Sequence, residues 1–119
     1  MSVIDRAKLH FENLGTQSIE VPEWKDDDDK PTVLYWNPIT LSEKNKLFKK
    51  SDNLTDVSIL ADILIMKALD KDGNKAFKLE DKIALMHKAD SDVLSRIATS
   101  MIQAITPDEV KKNLNLILN

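Results

Sequence analysis

The order of apolar and polar positions along the chain predicts a helix, then two short strands, then further helices. Near the amino terminus, apolar residues recur at helical spacing, at Ile4, Ala7, Phe11 and Leu14. Ser2 and Asp5 have the spacing of a capping box, in which each side chain accepts a hydrogen bond from the other residue's backbone N–H. Gly15 suits the left-handed conformation that commonly follows a helix end. We therefore predict an N-terminal helix that ends near residue 14.

Two β-prone segments follow, Ile19–Trp24 and Thr32–Trp36. The first alternates apolar and charged residues in the period-2 pattern of a half-buried strand, and the second is β-branched and aromatic. The acidic connection Lys25–Lys30 separates them, so we expect an antiparallel pair. Two strands are marginally stable alone, and the pair must therefore pack on the helices.

The residues after the strands predict a short helix and then a central one. Thr40 and Glu43 have capping-box spacing, and the helix that they begin reaches about Lys50. From about Thr55 to Leu69 the chain is apolar on nearly every side, with a narrow polar stripe that includes Asp62. A helix of this composition is buried against several neighbours, so we place it at the centre of the domain.

Three more helices are predicted in the rest of the chain. Their apolar faces consist of Leu79, Ile83 and Met86; of Val93, Leu94, Ile97, Ala98, Met101, Ile102 and Ile105; and of Val110, Leu114 and Ile117. Thr106–Glu109 gives the last helix a capping box with proline at the first helical position. The predicted fold class is α+β and mainly α, in a single domain over residues 1–119. It has an N-terminal helix, a two-stranded antiparallel element and then about five packed helices.

Composition narrows the possible functions. The chain of 119 residues has no cysteine, two glycines and a net charge of −3. The lack of cysteine excludes disulfides, thiolate nucleophiles and cysteine-ligated zinc, and two glycines cannot build a phosphate-cradling loop. The acidic balance argues against nonspecific nucleic-acid binding, and the only arginines are Arg6 and Arg96. We expect a soluble protein, because the longest apolar stretch, Val57–Leu69, is shorter than the roughly 20 residues that cross a bilayer.

No group of residues has the spacing of a catalytic or metal site. Asp70–Asn74 resembles the start of a calcium loop, but placing Gly73 at the sixth loop position puts Ala68 at the first, where it cannot ligate. His10 and His87 have no metal-ligating partner at a suitable spacing and are predicted to lie on the surface. We therefore expect no enzyme activity, no metal and no cofactor.

The acidic connection Asp26–Asp29 allows two interpretations. Four adjacent carboxylates could bind a cation or a basic partner. They also repel one another, which favours an extended, solvated and mobile turn. We adopt the second interpretation.

Aromatic and leucine side chains are the remaining candidates for partner binding. Tyr35 and Trp36 point to opposite faces of a strand, so one packs inward and the other is left partly exposed. An exposed aromatic residue beside a strand edge can bind a partner or can simply cover the small core. In the last helix, Leu116 and Leu118 cannot share the face of Leu114, which favours self-association. The candidate partner-binding residues are Trp24, Tyr35, Trp36, Leu114, Leu116 and Leu118.

Three segments carry motifs in a fixed order. They are I-E-V-P-E-W at Ile19–Trp24, V-L-Y-W-N-P-I-T-L-S-E at Val33–Glu43, and A-D-I-L-I-M-K-A-L-D-K-D-G-N-K-A-F at Ala61–Phe77, continued by Leu79–Leu85. In this order they resemble the tail assembly chaperones of long-tailed (siphovirus-type) bacteriophages. The family pattern has a short, glycine-containing turn where this chain has Lys25–Lys30, so no role is transferred to that turn.

The resemblance implies a function as well as a fold. Proteins of this family bind the long tape measure protein and keep it soluble until the tail tube polymerises around it. They are not enzymes, act in the host cytoplasm and are not expected in the mature virion. They tend to self-associate and are often made in a short and a frameshift-extended form. The expected partners are therefore the tape measure protein, a frameshift-extended form of the chain and further copies of it, with no nucleic acid and no membrane.

A generic small helical adaptor or regulatory protein, for instance a repressor-type DNA binder, is the alternative. The sequence contains no basic recognition helix, which favours the chaperone. An overlapping reading frame with a slippery run near the codons for Lys111–Asn113, followed by a very long helical gene, would distinguish the two.

Overall fold

The computed structural model describes residues 2–50 and 57–103. Its elements in chain order are α1 (Val3–Leu14), β1 (Gln17–Lys25), β2 (Pro31–Trp36), α2 (Leu41–Lys50), α3 (Ile59–Lys67), a 3₁₀ turn (Leu79–Asp81), α4 (Lys82–Lys88) and α5 (Ser91–Gln103). This order confirms the predicted α+β, mainly α fold. The start of the predicted central helix at Thr55 and the predicted last helix from Thr106 lie outside the described residues.

The predicted capping boxes begin α1 and α2. The Ser2 hydroxyl accepts from the Asp5 N–H at 3.3 Å, and the Asp5 carboxylate accepts from the Ser2 N–H at 3.4 Å. At α2, Thr40 Oγ1 accepts from the Glu43 N–H at 3.1 Å, and Glu43 Oε1 accepts from the Thr40 N–H at 3.0 Å. These bonds satisfy N–H groups that a helix start otherwise leaves unpaired.

Helix α1 contributes nothing to the core, which the sequence pattern did not predict. None of its residues is buried, and Val3, Ile4, Leu9 and Phe11 are exposed. Gly15 ends the helix with the positive φ that was predicted, 66°, but its ψ of −174° is not that of the left-handed helical conformation. The Thr16 hydroxyl donates to Asn37 Oδ1 at 2.9 Å. The apolar face of α1 was read correctly as helical, but among the described residues no element packs against it closely enough to bury it.

The two strands form an antiparallel hairpin with one face on the core. Ile19 lies opposite Leu34 and Val21 opposite Thr32, and a bulge follows between Val21 and Lys25. Val21 and Leu34 are buried. The alternation that the sequence predicted therefore sets which side of the hairpin faces the helices.

The outer edge of β2 is partly covered. The Tyr35 N–H donates to the Leu69 carbonyl at 2.9 Å, and the Leu69 N–H donates to the Tyr35 carbonyl at 2.7 Å. Leu69 is bridged in turn to Lys75. The segment after α3 thus lies beside β2 like a short third strand, and it removes the open edge that strand addition by a partner would need at this point.

Helix α3 is the central helix, as predicted. It packs against α2, α4 and α5, and α5 also contacts β1. The described part of the predicted apolar face of α5 faces inward, whereas Ile105 lies outside the described residues. At the start of α5, the Asp90 carboxylate accepts from the Val93 N–H at 3.1 Å. The buried hydrophobic core consists of Val21, Leu34, Trp36, Leu47, Ala61, Ile63, Leu64, Ala68, Leu85, Val93, Leu94, Ile97, Ala98 and Met101.

Candidate functional site

The three aromatic candidates occupy different environments. Trp36 is only 4% exposed, on the inner face of the hairpin, so it is a core residue and offers no contact area to a partner. This corrects its place among the candidate binding residues, and the reason is the strand alternation that turns it inward. Tyr35 lies on the opposite face and is half-buried. Trp24 is also half-buried and packs edge-on against Phe77, with ring centroids 6.2 Å apart.

Leu114, Leu116 and Leu118, the other candidates, lie outside the described residues. Self-association through them stays a prediction.

An exposed apolar line lies on the 3₁₀ turn and α4. Leu79, Ile83 and Met86, the residues that mark the predicted short helix, are 69%, 75% and 42% exposed. Leu85 is buried in their place. The spacing of the three residues correctly indicates a helix, but it does not show that their side faces solvent. We name Leu79, Ile83 and Met86 the α4 stripe.

A cleft of about 380 Å³ adjoins the α4 stripe. Its apolar lining consists of Ile65, Met66, Phe77 and Leu79. Asp62, Lys75 and Lys78 complete the lining. Leu79 belongs to both the stripe and the cleft, so the two are continuous, and together we name them the α4 surface. A contiguous apolar area of this kind, edged by polar groups, is typical of a partner-binding site.

Three contacts hold the α4 surface in shape. Lys82 Nζ lies 3.0 Å from an oxygen of Asp62, which is only 8% exposed, and this ion pair joins α4 to α3. The Lys75 ammonium donates to the Met66 carbonyl near the end of α3. Trp24 supports Phe77 from the hairpin side. The surface is thus assembled from α3, the segment before the 3₁₀ turn, and α4.

Two further ion pairs stabilise the fold away from the α4 surface. The Arg96 guanidinium donates to both carboxylate oxygens of Glu23, at 2.8 and 2.7 Å, and so joins α5 to β1. These hydrogen bonds, helped by the nearby positive charge, lower the pKa of Glu23 to about 2. Lys67 is 7% exposed and lies 3.1 Å from both oxygens of Glu43. It also donates to the Pro38 carbonyl.

The acidic connection is a closed, exposed turn and not the extended segment that charge repulsion predicted. Asp26 Oδ1 accepts from the N–H groups of Asp28 and Lys30, both at 2.9 Å. The Lys30 N–H, more than any other group, lowers the pKa of Asp26. Asp29 completes the turn with φ of 62°. Local side-chain to backbone hydrogen bonds thus outweigh the repulsion among the carboxylates.

The predicted turn at Asp70–Asn74 has the same hydrogen-bond pattern. Asp70 Oδ1 accepts from the N–H groups of Asp72 and Asn74, at 2.9 and 3.0 Å, and Gly73 takes φ of 82°. Both turns line a cleft of about 330 Å³ that also includes Tyr35. Across residues 2–50 and 57–103, no three acidic or histidine side chains come together in a way that could hold a metal ion.

Comparison with protein-family models, with curated proteins and with solved structures gives no match for this chain. In the part of the chain that the structure describes, no helix has both the length and the apolar content needed to span a bilayer.

The α4 surface was missed because a helix of seven residues carries apolar side chains on two sides. Ile83 and Met86 continue the helical spacing of Leu79, so the pattern grouped these three as the apolar face and left out Leu85. Lys82 is the signal that could have corrected this. Its charge pairs with Asp62 on the polar stripe of α3, and this pairing, beside buried Leu85, fixes which side of α4 lies against α3.

Proposed function

We propose that this protein is a tail assembly chaperone of a long-tailed bacteriophage, which binds the tape measure protein and keeps it soluble while the tail tube assembles. It performs no catalysis. It works in the host cytoplasm, outside the mature virion, and pairs with a frameshift-extended form of itself. The sequence motifs support the family, and the α4 surface supports the mechanism.

The observation that carries the mechanism is the exposure of the α4 stripe. Scattered exposed leucines are ordinary in monomeric proteins, but Leu79, Ile83 and Met86 form one line that continues into a cleft. Long helical proteins expose similar lines of leucine and isoleucine, which aggregate when they are uncovered. A small domain can cover such a line only in many copies, because each offers roughly 800 Å² of contact.

Co-expression tests the proposal. The downstream tape-measure-like protein is produced with the wild-type chain, without it, and with the double variant Leu79→Ser/Ile83→Ser. We expect a soluble client only with the wild-type chain, because serine removes the apolar contact without touching the buried core. The complex should survive about 0.5 M salt, since apolar contact is not screened by ions.

The matched control is Leu41→Ser/Val57→Ser, which removes two equally exposed apolar side chains away from the α4 surface. It should leave the client soluble. A client that is equally soluble without the chain, or a complex that dissociates at about 0.5 M salt, contradicts the proposal.

A further inference from the structure

We propose that the free edge of β1 is a dimerisation surface, at which two copies of the chain pair through their first strands and form one four-stranded antiparallel sheet. This interface is separate from the α4 surface and does not depend on the function proposed above. Two observations support it, the hydrogen-bond register of the hairpin and the exposure of α1.

The hydrogen bonds of β2 identify the backbone groups that β1 leaves unpaired. The N–H and C=O of Tyr35 both bond to Leu69, so they point away from β1. Ser18 lies opposite Tyr35, and opposed residues of an antiparallel pair either both face each other or both face away. The N–H and C=O of Ser18 therefore point outward at the free edge, and so do those of Glu20, two residues further along. These four groups form no hydrogen bond with any described residue, and both residues are exposed.

Only one antiparallel register pairs all four groups between two copies. With Ile19 on the two-fold axis, Ser18 of each copy lies opposite Glu20 of the other, and the two reciprocal pairs exchange N–H···O=C bonds. Centring the pair on Glu20 would place two carboxylates opposite each other and would place Ser18 opposite Pro22, which has no N–H. Centring it on Ser18 would place Glu20 opposite Thr16, which lies outside β1. The edge is thus self-complementary in one register, which favours a second copy over an arbitrary strand.

The helix that leads into β1 has no cover of its own. No residue of α1 is buried, although a helix of 12 residues is marginally stable in water without a packing partner. Only Gly15 and Thr16 separate α1 from β1, so antiparallel pairing puts the end of α1 beside Pro22 of the other copy. The backbone bonds alone are a small interface compared with the roughly 800 Å² per partner of a stable complex. The apolar side chains of α1, among them Phe11, supply further contact area at this edge.

Cysteine cross-linking tests the register, because the chain contains no cysteine. Ile19→Cys places two thiols across the two-fold axis, where the facing Cα atoms lie about 4.5 Å apart, within the span of a disulfide. Gln17→Cys is the matched control on the same strand. Its two copies lie four residues apart along the strands, about 14 Å, which is too far for a disulfide. With a mild oxidant, we expect a covalent dimer from Ile19→Cys and none from Gln17→Cys.

Sedimentation of the full chain measures what the edge contributes. Ser18→Pro removes one outward donor from each copy, and Pro22 already occupies the same alternation in β1. We expect this variant to weaken the dimer at least ~10-fold, whereas Ser18→Ala, which keeps the N–H, should have little effect. Ser18→Lys puts a cation opposite Glu20 in both pairs and should tighten the dimer at least ~2-fold, and Ser18→Glu should weaken it. Circular dichroism checks the fold of each variant, and the lysine and glutamate variants test the same register if the proline variant does not fold.

The same measurements separate this interface from other arrangements. A chain that sediments as a monomer at every concentration overturns the proposal, as does equal cross-linking of Ile19→Cys and Gln17→Cys. If Leu79→Ser/Ile83→Ser dissociates the dimer and Ser18→Pro does not, the second copy belongs at the α4 surface. If the chain is monomeric and Ser18→Pro prevents binding of the client, the free edge of β1 belongs to an extended segment of that client. Either result also overturns the proposal.

Discussion

The ion pair between Lys67 and Glu43 should respond asymmetrically to removal of its two partners. Lys67 is 7% exposed, whereas the Glu43 side chain is 29% exposed and also accepts hydrogen bonds from Thr40. Glu43→Gln leaves a nearly buried ammonium without a counter-charge. Lys67→Met leaves a carboxylate that water and Thr40 still solvate. We therefore expect the first substitution to cost much more than the second.

The magnitudes follow from the distances. At 3.1 Å and an effective dielectric constant of about 20, the attraction between Lys67 and Glu43 is about 5 kcal/mol before desolvation is subtracted. Breaking one side of a buried pair costs about 3–5 kcal/mol, and the partial exposure of Glu43 reduces this. We expect Glu43→Gln to lower the free energy of unfolding by about 2–3 kcal/mol. Lys67→Met should change it by less than about 1 kcal/mol, because the desolvation cost of the ammonium is also removed.

Thermal unfolding monitored by circular dichroism measures both changes. For a chain of this size, 1 kcal/mol corresponds to about 3–6 °C in Tm, so Glu43→Gln should lower Tm by roughly 10 °C. Glu12→Gln, which changes an exposed carboxylate on α1, is the control and should leave Tm unchanged. If Lys67→Met costs as much as Glu43→Gln, the argument from unequal burial is refuted.

The pH dependence gives an independent check on the same pair. Burial opposes ionisation of Glu43, but hydrogen bonds from the Thr40 N–H and the Lys67 ammonium outweigh it and hold the pKa of Glu43 below its ordinary value. A lowered folded-state pKa contributes stability that is complete above the unfolded value of about 4.3. That stability is lost as the pH falls through the folded pKa. The gap between wild type and Glu43→Gln should therefore begin to narrow below about pH 4.3 and close once the pH is below the lowered folded pKa of Glu43.

Three other predictions address separate parts of the fold. In denaturant unfolding, Phe11→Ala should change the free energy of unfolding by less than about 0.5 kcal/mol, because no residue of α1 is buried. Ile97→Ala, in the core, should lower the free energy of unfolding by about 3 kcal/mol. NMR titration should find the pKa of Glu23 near 2. The stability from its pair with Arg96 should be complete above about pH 4.3 and should fade toward pH 2, and Arg96→Ala should remove this dependence. Gly73→Ala should lower the free energy of unfolding by about 1 kcal/mol in thermal unfolding. The cost comes from the φ of 82°, because a Cβ at this position meets no atom within 4 Å.

Local patterns predicted the helix starts and the hairpin faces well. The capping boxes at Ser2 and Thr40 depend on residues three positions apart, so the sequence contains all the information that they need. The inward side of the hairpin follows from strict alternation, which places Val21 and Leu34 together. The apolar face of α5 was equally clear because it spans several turns and has only one apolar side.

Properties that depend on distant residues could not be read from the sequence. The burial of Lys67 requires Glu43 and the Pro38 carbonyl, which come together only when α2 packs on α3. The exposure of α1 depends on which elements lie beside it and not on its own pattern. The acidic turn is a local case. There, hydrogen bonds from the backbone N–H groups of Asp28 and Lys30 to Asp26 outweigh the repulsion among neighbouring carboxylates, and the sequence pattern alone did not rank the two effects.

The orientation of α4 links the fold to the proposed function through one ion pair. Turning α4 to bury Ile83 and Met86 would gain up to about 1.5–3 kcal/mol for Ile83 and less for Met86, which is only 42% exposed. The turn would also disturb the ion pair between Lys82 and the nearly buried Asp62, at a cost that solvent around the 38% exposed Lys82 side chain reduces. It would lift Leu85 out of the core as well. The loss of Leu85 burial and the disturbed ion pair offset the gain, which favours the observed orientation, with the stripe in solvent where a partner can reach it.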